Sequence, residues 1–558
     1  MVLGICGIAN AADAVEILSI GLVGTAAEDD LNLTSQRAGA LNACIFAGMF
    51  LGGLCWGMLG DAVGRKRSLV LALAVNAVFG ALSAASTNLG QLMVLRLLAG
   101  VGVGGSMPVV FALMSEFCPP SSRGKFMAML ASFWMVGSLY SASMGWLVIP
   151  WAGWRPFVLV AALPAVVGCV LLAALVPESP RYLSVMGRGR EAGQVLMRAA
   201  RMNGTHLPED FTIPSFHHRD QDILEHKASL RTDAAGHPHA VLLGSGPGAG
   251  SSGPAGPDGL APGPALGSTR RGFVARLRLA LQHGWGRGSA TLVTLLSPPL
   301  RSYTLPLGVA WVGLCGGWYC TVLWVPRYFE ERGATGASVY AQTFAVSLAN
   351  LPGNLASIWL VDRLGRRLTA CICMAGACAC ALLFAAAPAR GAWPLLAACV
   401  FNGVSVGGWN SLDMISAELY PTSLRASGFG FLNALGRVSS FLTTYAAGAL
   451  LDVALWAPLA VAAVMLAAGS AAMLSLPEPA GKPLEDSFTE EDKEAEHGGG
   501  GDEGSTQRLL GARGSSGGSS RDPLRQGAED EEEGAALAAA AKAGPAPERV
   551  GLLAGARG

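Results

Sequence analysis

The residues most able to do chemistry in this sequence are charged side chains inside otherwise apolar segments. Asp13 and Glu16 lie three residues apart in the stretch NAADAVEILSIG, and Arg96, Asp413 and Arg437 lie in three other apolar segments. A charge at the centre of a bilayer costs roughly 2.5–3.5 kcal/mol or more, so such residues mark proton or solute pathways. Residues three apart share one face of a helix. We therefore expect Asp13 and Glu16 to face a water-filled cavity, with Arg96 and Arg437 as their partners or as contacts for an anion.

These carboxylates could carry a proton, because burial and mutual repulsion favour the protonated form of at least one of them. All eight histidines lie in polar stretches, so a proton relay through the apolar segments would use Asp13 and Glu16 first and Asp413 next. A structural ion pair that only orients helices is the alternative for the first two residues, and a boundary role is the alternative for Asp413. Trp318 and Tyr319 are placed where aromatic rings could stack on a ligand, with packing or lipid contact as the alternative.

The segments that hold these residues are predicted to be membrane-spanning helices. Of the 558 residues, 51% are hydrophobic and 14% are charged, whereas soluble domains carry about 25% charged residues. Twelve apolar segments approach the roughly 20 residues that a spanning helix needs. They cover residues 2–25, 38–59, 68–86, 91–114, 126–149, 155–176, 303–325, 340–361, 368–388, 392–415, 427–450 and 455–476. The predicted fold is an all-α membrane protein with twelve transmembrane helices.

The sequence argues against several other classes of function. The formal net charge is zero, which gives no support for nucleic-acid binding. Neither a CxxC pair nor a Cys/His zinc pattern occurs, so we expect no metal and no cofactor. Gly100, Gly102 and Gly105 form a literal GxGxxG, but a spanning segment surrounds them. They therefore predict tight helix packing rather than a dinucleotide site, and we do not expect an enzyme.

Two motifs occur twice at almost the same offset. SEFCPPSSRGKF and AELYPTSLRASGF match with an offset of 302 residues, and DAVGRKR and DRLGRRL match with an offset of 301. This predicts a duplicated six-helix unit, and duplicated bundles are typical of secondary transporters. The predicted domains are an N-terminal bundle (1–183), a linker with a disordered Gly/Pro-rich insert (184–300), a C-terminal bundle (301–477) and a disordered tail (478–558).

Basic residues predict the orientation of the chain in the membrane. GRKR, SSRGK, the linker and DRLGRR fall on one side of a twelve-span chain, so the positive-inside rule places that side and both termini in the cytosol. The repeated motifs lie there, and we expect contacts of the Glu116–Arg123 and Glu418–Arg425 loops to break as the two bundles move. The full set of expected gating residues is Gly57, Asp61, Gly64, Arg65, Lys66, Glu116, Arg123, Asp362, Gly365, Arg366, Arg367, Glu418 and Arg425.

These motifs resemble the major facilitator superfamily. The resemblance rests on GMLGDAVGRKR, on RLLAGVGVGG, on the paired Glu/Arg loops and on PESPRYL, and it covers about 1–183 and 297–476. PESPRYL is similar to the sugar-porter and organic-ion branches, whereas NAADAVEILSIG and ALGRVSSFLTTY most resemble the synaptic-vesicle-protein-related transporters. The resemblance implies two six-helix bundles, alternating access, and a central cavity lined chiefly by spans 1, 4, 7 and 10.

Together these features predict a secondary active transporter of a small organic solute that is coupled to protons. Arg96 and Arg437 favour an organic anion or zwitterion, Asp13 and Glu16 favour an organic cation, and PESPRYL alone favours a sugar. The expected partners are the solute, protons and the lipid bilayer, and we expect a monomer in the plasma membrane or in a vesicle or organelle membrane. The alternative is a non-transporting membrane receptor or trafficking protein on a transporter scaffold.

Overall fold

A computed structural model describes residues 1–118, 122–205, 293–298, 300–387, 391–421 and 424–478, apart from the side chains of residues 57, 58, 61, 62 and 426. Nearly all of these residues are helical, and no strand occurs among them. Most of the predicted linker, and all of the predicted tail except Glu478, lie outside the described residues.

Long helices make up most of the described chain, and a few short helices lie between or after them. The described helices of the first half are α1 (Val2–Ala26), α2 (Glu28–Leu31), α3 (Ser35–Val63), α4 (Arg65–Leu82), α5 (Leu89–Phe117), α6 (Arg123–Ala152), α7 (Trp154–Leu175), α8 (Pro180–Val185) and α9 (Gly189–Met202). Those of the second half are α10 (Arg301–Val322), α11 (Val325–Glu331), α12 (Ala337–Leu348), α13 (Asn350–Leu364), α14 (Arg366–Ala386), α15 (Trp393–Glu418), α16 (Arg425–Leu451) and α17 (Ala457–Leu474).

Twelve of these helical segments correspond to the predicted spans. Eleven are long and apolar enough to cross a membrane, with α12 and α13 counted together as Ala337–Leu364. The twelfth is α16, which is 27 residues long. Its polar residues, which include Arg437, Ser439 and Ser440, lower its hydropathy. The prediction of an all-α membrane protein with twelve spanning helices in two bundles is confirmed.

Glycines allow the closest helix contacts in both halves. Gly48 of α3 faces Gly100 of α5, and a Cβ on Gly48 would lie 3.0 Å from the Cα of Gly100. In the second half Gly353 of α13 packs against Gly403 of α15, where a Cβ on Gly353 would lie 2.7 Å from the Cα of Gly403. Contacts this close need small residues. The second and fourth spanning helices therefore pack in the same way in each half, as expected for a duplicated unit.

The two ends of the bundle carry different side chains. We call the end with Arg65, Lys66, Arg366 and Arg367 the basic face, and the other end the opposite face. The halves meet closely near the opposite face, where a Cβ on Gly39 of α3 would lie 3.1 Å from the Cα of Gly448 in α16.

A second contact between the halves lies on the other side of the bundle. Trp146 of α6 stacks on Phe344 of α12, with ring centroids 5.5 Å apart. Gly21 of α1 also packs directly against the backbone of Leu323, just after α10. The described structure is therefore closed at the opposite face.

Candidate functional site

Asp13 lies in the middle of α1 and is fully buried. Both of its carboxylate oxygens lie 2.6 Å from the hydroxyl oxygen of Ser106 in α5. That hydroxyl group also lies 2.9 Å from the carbonyl oxygen of Val103. The described residues include no ion-pair partner for Asp13, although Arg437 is near enough to act on its charge. Asp13 is thus a buried acidic group that a hydroxyl group, rather than a cation, holds in place.

The Ser106 hydroxyl accommodates either protonation state of Asp13. A serine has one hydroxyl proton and two acceptor lone pairs, so Ser106 cannot donate to Asp13 and to Val103 at once. With Asp13 ionised, Ser106 donates to the carboxylate. With Asp13 protonated, the carboxyl group donates to Ser106, which then donates to the Val103 carbonyl oxygen. Both patterns use the same positions of the heavy atoms.

Glu16 points into the interior of the first half. Its carboxylate accepts a hydrogen bond from Nη1 of Arg96 at 2.6 Å, and both side chains are buried. Gly80 of α4 leaves room for the second oxygen, because a Cβ there would lie 3.1 Å from it. Nε and Nη2 of Arg96 and the amide nitrogen of Asn76 have no hydrogen-bond partner among the described residues. Asp13 and Glu16 therefore share a helix but not a site, which differs from the expectation that both face one cavity.

Arg437 of α16 lies where the two halves meet. Its guanidinium group donates to the amide oxygen of Asn433 at 3.1 Å and to the hydroxyl oxygen of Tyr319 at 3.3 Å. Asp413 of α15 is within electrostatic range of it. Nη2 crosses to the sulfur of Met107 in α5, 3.2 Å away. A thioether is a weak acceptor, so this N–H group is the one that a bound anion could most easily take over.

Aromatic rings from both halves surround Tyr319. The ring centroids of Trp318 and Tyr319 in α10 lie 4.8 Å apart, and Phe46 of α3 lies 4.7 Å from Tyr319. Trp409 of α15 lies 5.8 Å from Trp318. The indole N–H of Trp409 is buried without a partner among the described residues, whereas that of Trp318 donates to Asn402 at 3.2 Å. The cluster offers edge-to-face ring surfaces and one unused donor.

A small cavity lies between the halves beside this cluster. Its volume is about 30 Å³, and its lining includes Leu22, Ser141, Trp318 and Asn402. A cavity of this size has room for one or two water molecules. In this conformation it does not hold an organic solute.

The two copies of the repeated motif make the same turn on the basic face. Gly64 after α3 and Gly365 after α13 have φ values of 113° and 81°, where any other residue would be strained. The carboxylate of Glu178 accepts a hydrogen bond from the first turn of α4 at 2.8 Å. Glu478 accepts two from the first turn of α14, at 2.9 and 3.0 Å. Negative charge at a helix N-terminus is stabilising, so each half uses one carboxylate to hold this turn.

The glutamates of the repeated loops pair with arginines outside their own loops. Glu116 lies 3.6 Å from Arg65, and Glu418 lies 3.2 Å from Arg366. The expected contacts with Arg123 and Arg425 are therefore replaced by contacts with the arginine that follows each glycine turn. These pairs stay within one half and do not join the two halves.

The remaining expected gating residues occupy different positions on the basic face. Nζ of Lys66 donates to the carbonyl oxygen of Ala173 at 2.8 Å, and Nη1 of Arg367 donates to that of Leu476 at 2.9 Å. Asp362 is exposed. Gly57 and Asp61 belong to α3, but the surroundings of these two residues lie outside what the structure describes.

An ionic cluster at the opposite face was not predicted from the sequence. Arg327 of α11 forms an ion pair with Glu28 of α2, which belongs to the other half. The same guanidinium lies 2.9 Å from Glu331 and 3.6 Å from Glu330. Burial, reinforced by the neighbouring carboxylates, raises the pKa of Glu330 to about 7, although Arg327 opposes the shift. The spacing of Arg327, Glu330 and Glu331 along one helix face was the available signal.

Comparisons with known proteins agree with this architecture. A family model described as sugar (and other) transporter matches residues 14–235, and the Major Facilitator Superfamily model matches residues 307–516. The chain is 27% identical over 606 residues to mouse synaptic vesicle glycoprotein 2C, covering 85% of this chain and 78% of the relative. It is 28% identical over 615 residues to rat synaptic vesicle glycoprotein 2A, covering 86% and 77%.

Solved transporters share the fold. The xylose transporter XylE from E. coli, in a partially occluded inward-open conformation, matches with a TM-score of 0.59 and 17% identity over 86% of this chain and 99% of its own. XylE bound to 6-bromo-6-deoxy-D-glucose matches with a TM-score of 0.60 and 17% identity over 87% and 97%. None of these proteins is named as an enzyme. The two family models, the relatives and the shared fold identify this chain as a multi-pass membrane protein with the major facilitator fold, similar to sugar transporters and to the synaptic vesicle glycoproteins 2.

Proposed function

We propose that this protein is a secondary active transporter of a small organic solute and that transport is coupled to protons. The observation that carries the proposal is Asp13, which is fully buried at mid-span and has no ion-pair partner among the described residues. Its hydrogen bond to Ser106 suits both the charged and the neutral carboxyl group. Ionisable groups at this depth are costly and are typical of proton pathways.

Proton binding at Asp13 would change the affinity of the neighbouring arginine for a solute. Arg437 acts on the charge of Asp13. When Asp13 is neutral, Arg437 has lost a negative neighbour and attracts an anionic group more strongly. By linkage, a bound anionic group must favour protonation of Asp13 to the same extent. This reciprocal effect is the basis of symport in the proposed mechanism.

The surroundings of Arg437 favour an organic anion or zwitterion, with a sugar-like solute as the other candidate. The N–H group that now faces Met107 is available for a carboxylate or a similar acceptor. The rings of Trp318, Tyr319 and Trp409 offer an apolar surface next to it. Proton coupling and a sugar-like solute gain support from the shared fold of XylE, which is described as a proton:xylose symporter.

The two bundles, 1–183 and 301–477, are proposed to rock about this site as rigid units. Opening of the opposite face then requires loss of the Arg327–Glu28 pair and separation of Gly39 from Gly448. We propose that the basic face is cytosolic with both termini, and that the protein acts as a monomer in a vesicle, organelle or plasma membrane. The vesicle alternative rests on the names of the relatives.

Solute-driven proton movement tests the proposal. The full chain is reconstituted in liposomes that contain a pH-sensitive dye and is challenged with a panel of organic acids, amino acids, amines and sugars. At least one solute is expected to change the internal pH through the wild-type protein, and Asp13→Asn should abolish that change because an amide cannot exchange the proton. Asp452→Asn, at an exposed position after α16, should leave it intact. Unchanged proton movement in Asp13→Asn would rule out this role for Asp13.

A second candidate is a non-transporting receptor or trafficking protein on the same scaffold. It is favoured by relatives that are named as vesicle glycoproteins rather than as transporters. Deletion of residues 479–558, which leaves Glu478 and its hydrogen bonds to the first turn of α14 in place, separates the two candidates. A transporter should keep solute-driven proton movement after the deletion, whereas a scaffold that works through its tail should lose its protein partners in pull-down experiments and should never move a solute.

A further inference from the structure

A pocket of about 460 Å³ on the basic face lies apart from the central site. It is bounded by the turn between α3 and α4, by the chain that follows α7, and by α8 and α9. Pockets of roughly 300–1,000 Å³ accommodate small organic ligands. Its charged lining has more cations than carboxylates, and consists of Lys66, Arg67, Arg188, Arg198, Glu178 and Glu191.

Both carboxylates of the pocket are already engaged. Glu178 accepts hydrogen bonds from the backbone N–H groups of Lys66 at 2.8 Å and of Ser179 at 3.1 Å. Glu191 receives two hydrogen bonds from the guanidinium group of Arg188, one of them at 2.7 Å. Among the described residues, neither carboxylate forms an ion pair with Arg67 or Arg198.

Two arginines of the pocket have no anionic partner among the residues that the structure describes. Arg67, in the first turn of α4, and Arg198, in α9, form neither a hydrogen bond nor an ion pair with any described residue, and both are exposed. Planar guanidinium groups bind phosphate oxygens in a bidentate manner. Two unpaired arginines that face one concave pocket are suited to a ligand with phosphate groups.

The pocket lies at the end of a spanning helix, where the headgroups of lipids are expected. It begins directly after α7, whose Val170 and Leu175 are 60% and 40% exposed, as expected for a lipid-facing surface. Nζ of Lys66 donates to the carbonyl oxygen of Ala173 at the end of this helix. Basic pockets next to spanning helices bind the headgroups of anionic lipids. A ligand in this pocket could therefore be attached to the membrane.

We propose that this pocket binds a compact headgroup bearing phosphate monoesters, such as that of a phosphoinositide or a free inositol phosphate. Arg67 and Arg198 hold the phosphate groups from two sides, and Lys66 adds a third positive charge. A bound headgroup links the α3–α4 turn to α8 and α9. The inference does not depend on the transported solute.

Binding is tested on the full chain in phosphatidylcholine nanodiscs with a fluorescent phosphatidylinositol bisphosphate. The Arg67→Ala/Arg198→Ala variant should bind the lipid about tenfold more weakly, or worse, because it loses two charge-assisted contacts. The matched control is Arg190→Ala/Arg201→Ala, which removes two exposed arginines of the same α9 that do not line the pocket. It should change the affinity by less than about twofold, as expected for exposed charges.

Competition experiments decide the chemistry and the source of the ligand. Phosphatidylserine should not displace the fluorescent lipid at equal concentration. Displacement by inositol trisphosphate supports the proposal with a soluble ligand as a source, whereas binding that resists this competitor supports it with the lipid alone. Equal weakening in both double variants, no binding by the wild type, or equal competition by phosphatidylserine would overturn it. If the first variant does not fold, Arg198→Gln compared with Arg201→Gln makes the same test.

Discussion

Glu16 and Arg96 form an ion pair that is buried inside the first half, 2.6 Å apart. In Glu16→Gln, the guanidinium group of Arg96 keeps its charge and loses its carboxylate. Removal of one partner of a buried pair costs about 3–5 kcal/mol. We therefore expect a clearly lower Tm for the purified protein, measured by intrinsic fluorescence in detergent. Glu191→Gln breaks an exposed pair and should cost no more than about 1 kcal/mol.

The double variant Glu16→Met/Arg96→Met separates a structural role from a proton-carrying one. Apolar residues of similar volume often restore or improve stability at such a site, so the double variant should regain most of the lost Tm. Solute-driven proton movement should survive if Asp13 alone carries the proton. A Glu16→Gln variant with an unchanged Tm and no proton movement would instead make Glu16 the carrier.

Residue types were predictable at this scale, but their partners were not. The cost of a charge in hydrocarbon singled out Asp13, Glu16, Arg96 and Arg437 from the sequence alone. The partners of the two carboxylates depend on how α1 is rotated about its axis relative to α4 and α5. Because α1 is buried on nearly every side, its apolar pattern does not indicate that rotation. Ser106 gave no signal, because a serine in a spanning helix is more often a packing residue.

At the scale of the helices, close packing at glycine predicts a contrast between two substitutions. In Gly102→Ala, the new Cβ would lie 2.5 Å from the backbone nitrogen of Asn76 and 2.6 Å from the carbonyl oxygen of Ala72 in α4. Overpacking of this kind costs about 1–3 kcal/mol. The helix propensity gained by replacing glycine is at most about 1 kcal/mol. We expect a lower Tm for Gly102→Ala.

The matched substitution is Gly430→Ala in α16, where nothing lies within 4 Å of the new Cβ. Helix propensity is then the main term, and the Tm should stay constant or rise slightly. Equal shifts of the Tm in the two variants would contradict tight packing at Gly102. They would also weaken the interpretation of Gly100, Gly102 and Gly105 as a packing motif.

The helices themselves were largely predictable, whereas the connections between them were not. Apolar length located the spans to within several residues, since the prediction 38–59 became α3 (Ser35–Val63). The break between α12 and α13 fell inside one predicted span, because an apolar run does not reveal a local change of direction. The sequence pairs Pro177-Glu178 with Pro477-Glu478 at an offset of 300. Their role became visible only from the backbone N–H groups that the two carboxylates meet.

At the scale of the whole molecule, the duplicated motifs predicted two bundles but not the conformational state. That state depends on a few contacts between the halves, and the ion pair of Arg327 with Glu28 is one of them. Glu330 lies against the same arginine, with Glu28, Glu331 and Asp29 as negative neighbours. Burial raises the pKa of Glu330 from 4.5 to about 7 in this closed state. When the opposite face opens and water reaches Glu330, its pKa should return towards the lower value.

The difference in pKa makes the opposite face sensitive to pH. At a pH below the lower pKa, Glu330 is protonated in both the closed and the open state. As the pH rises towards about 7, Glu330 loses its proton first in the open state, where its pKa is lower. This ionisation favours the open state over the closed one. The closed fraction should therefore be highest under acidic conditions, fall up to about pH 7 and then level off. Distances between spin labels on unnatural residues at the exposed positions Gln36 and Ala337 measure that fraction. Glu330→Gln should stay closed across this range because its amide does not ionise, whereas Glu331→Gln, which removes a more exposed neighbour, should keep the pH dependence. If Glu330→Gln responds to pH as the wild type does, another group controls the opposite face.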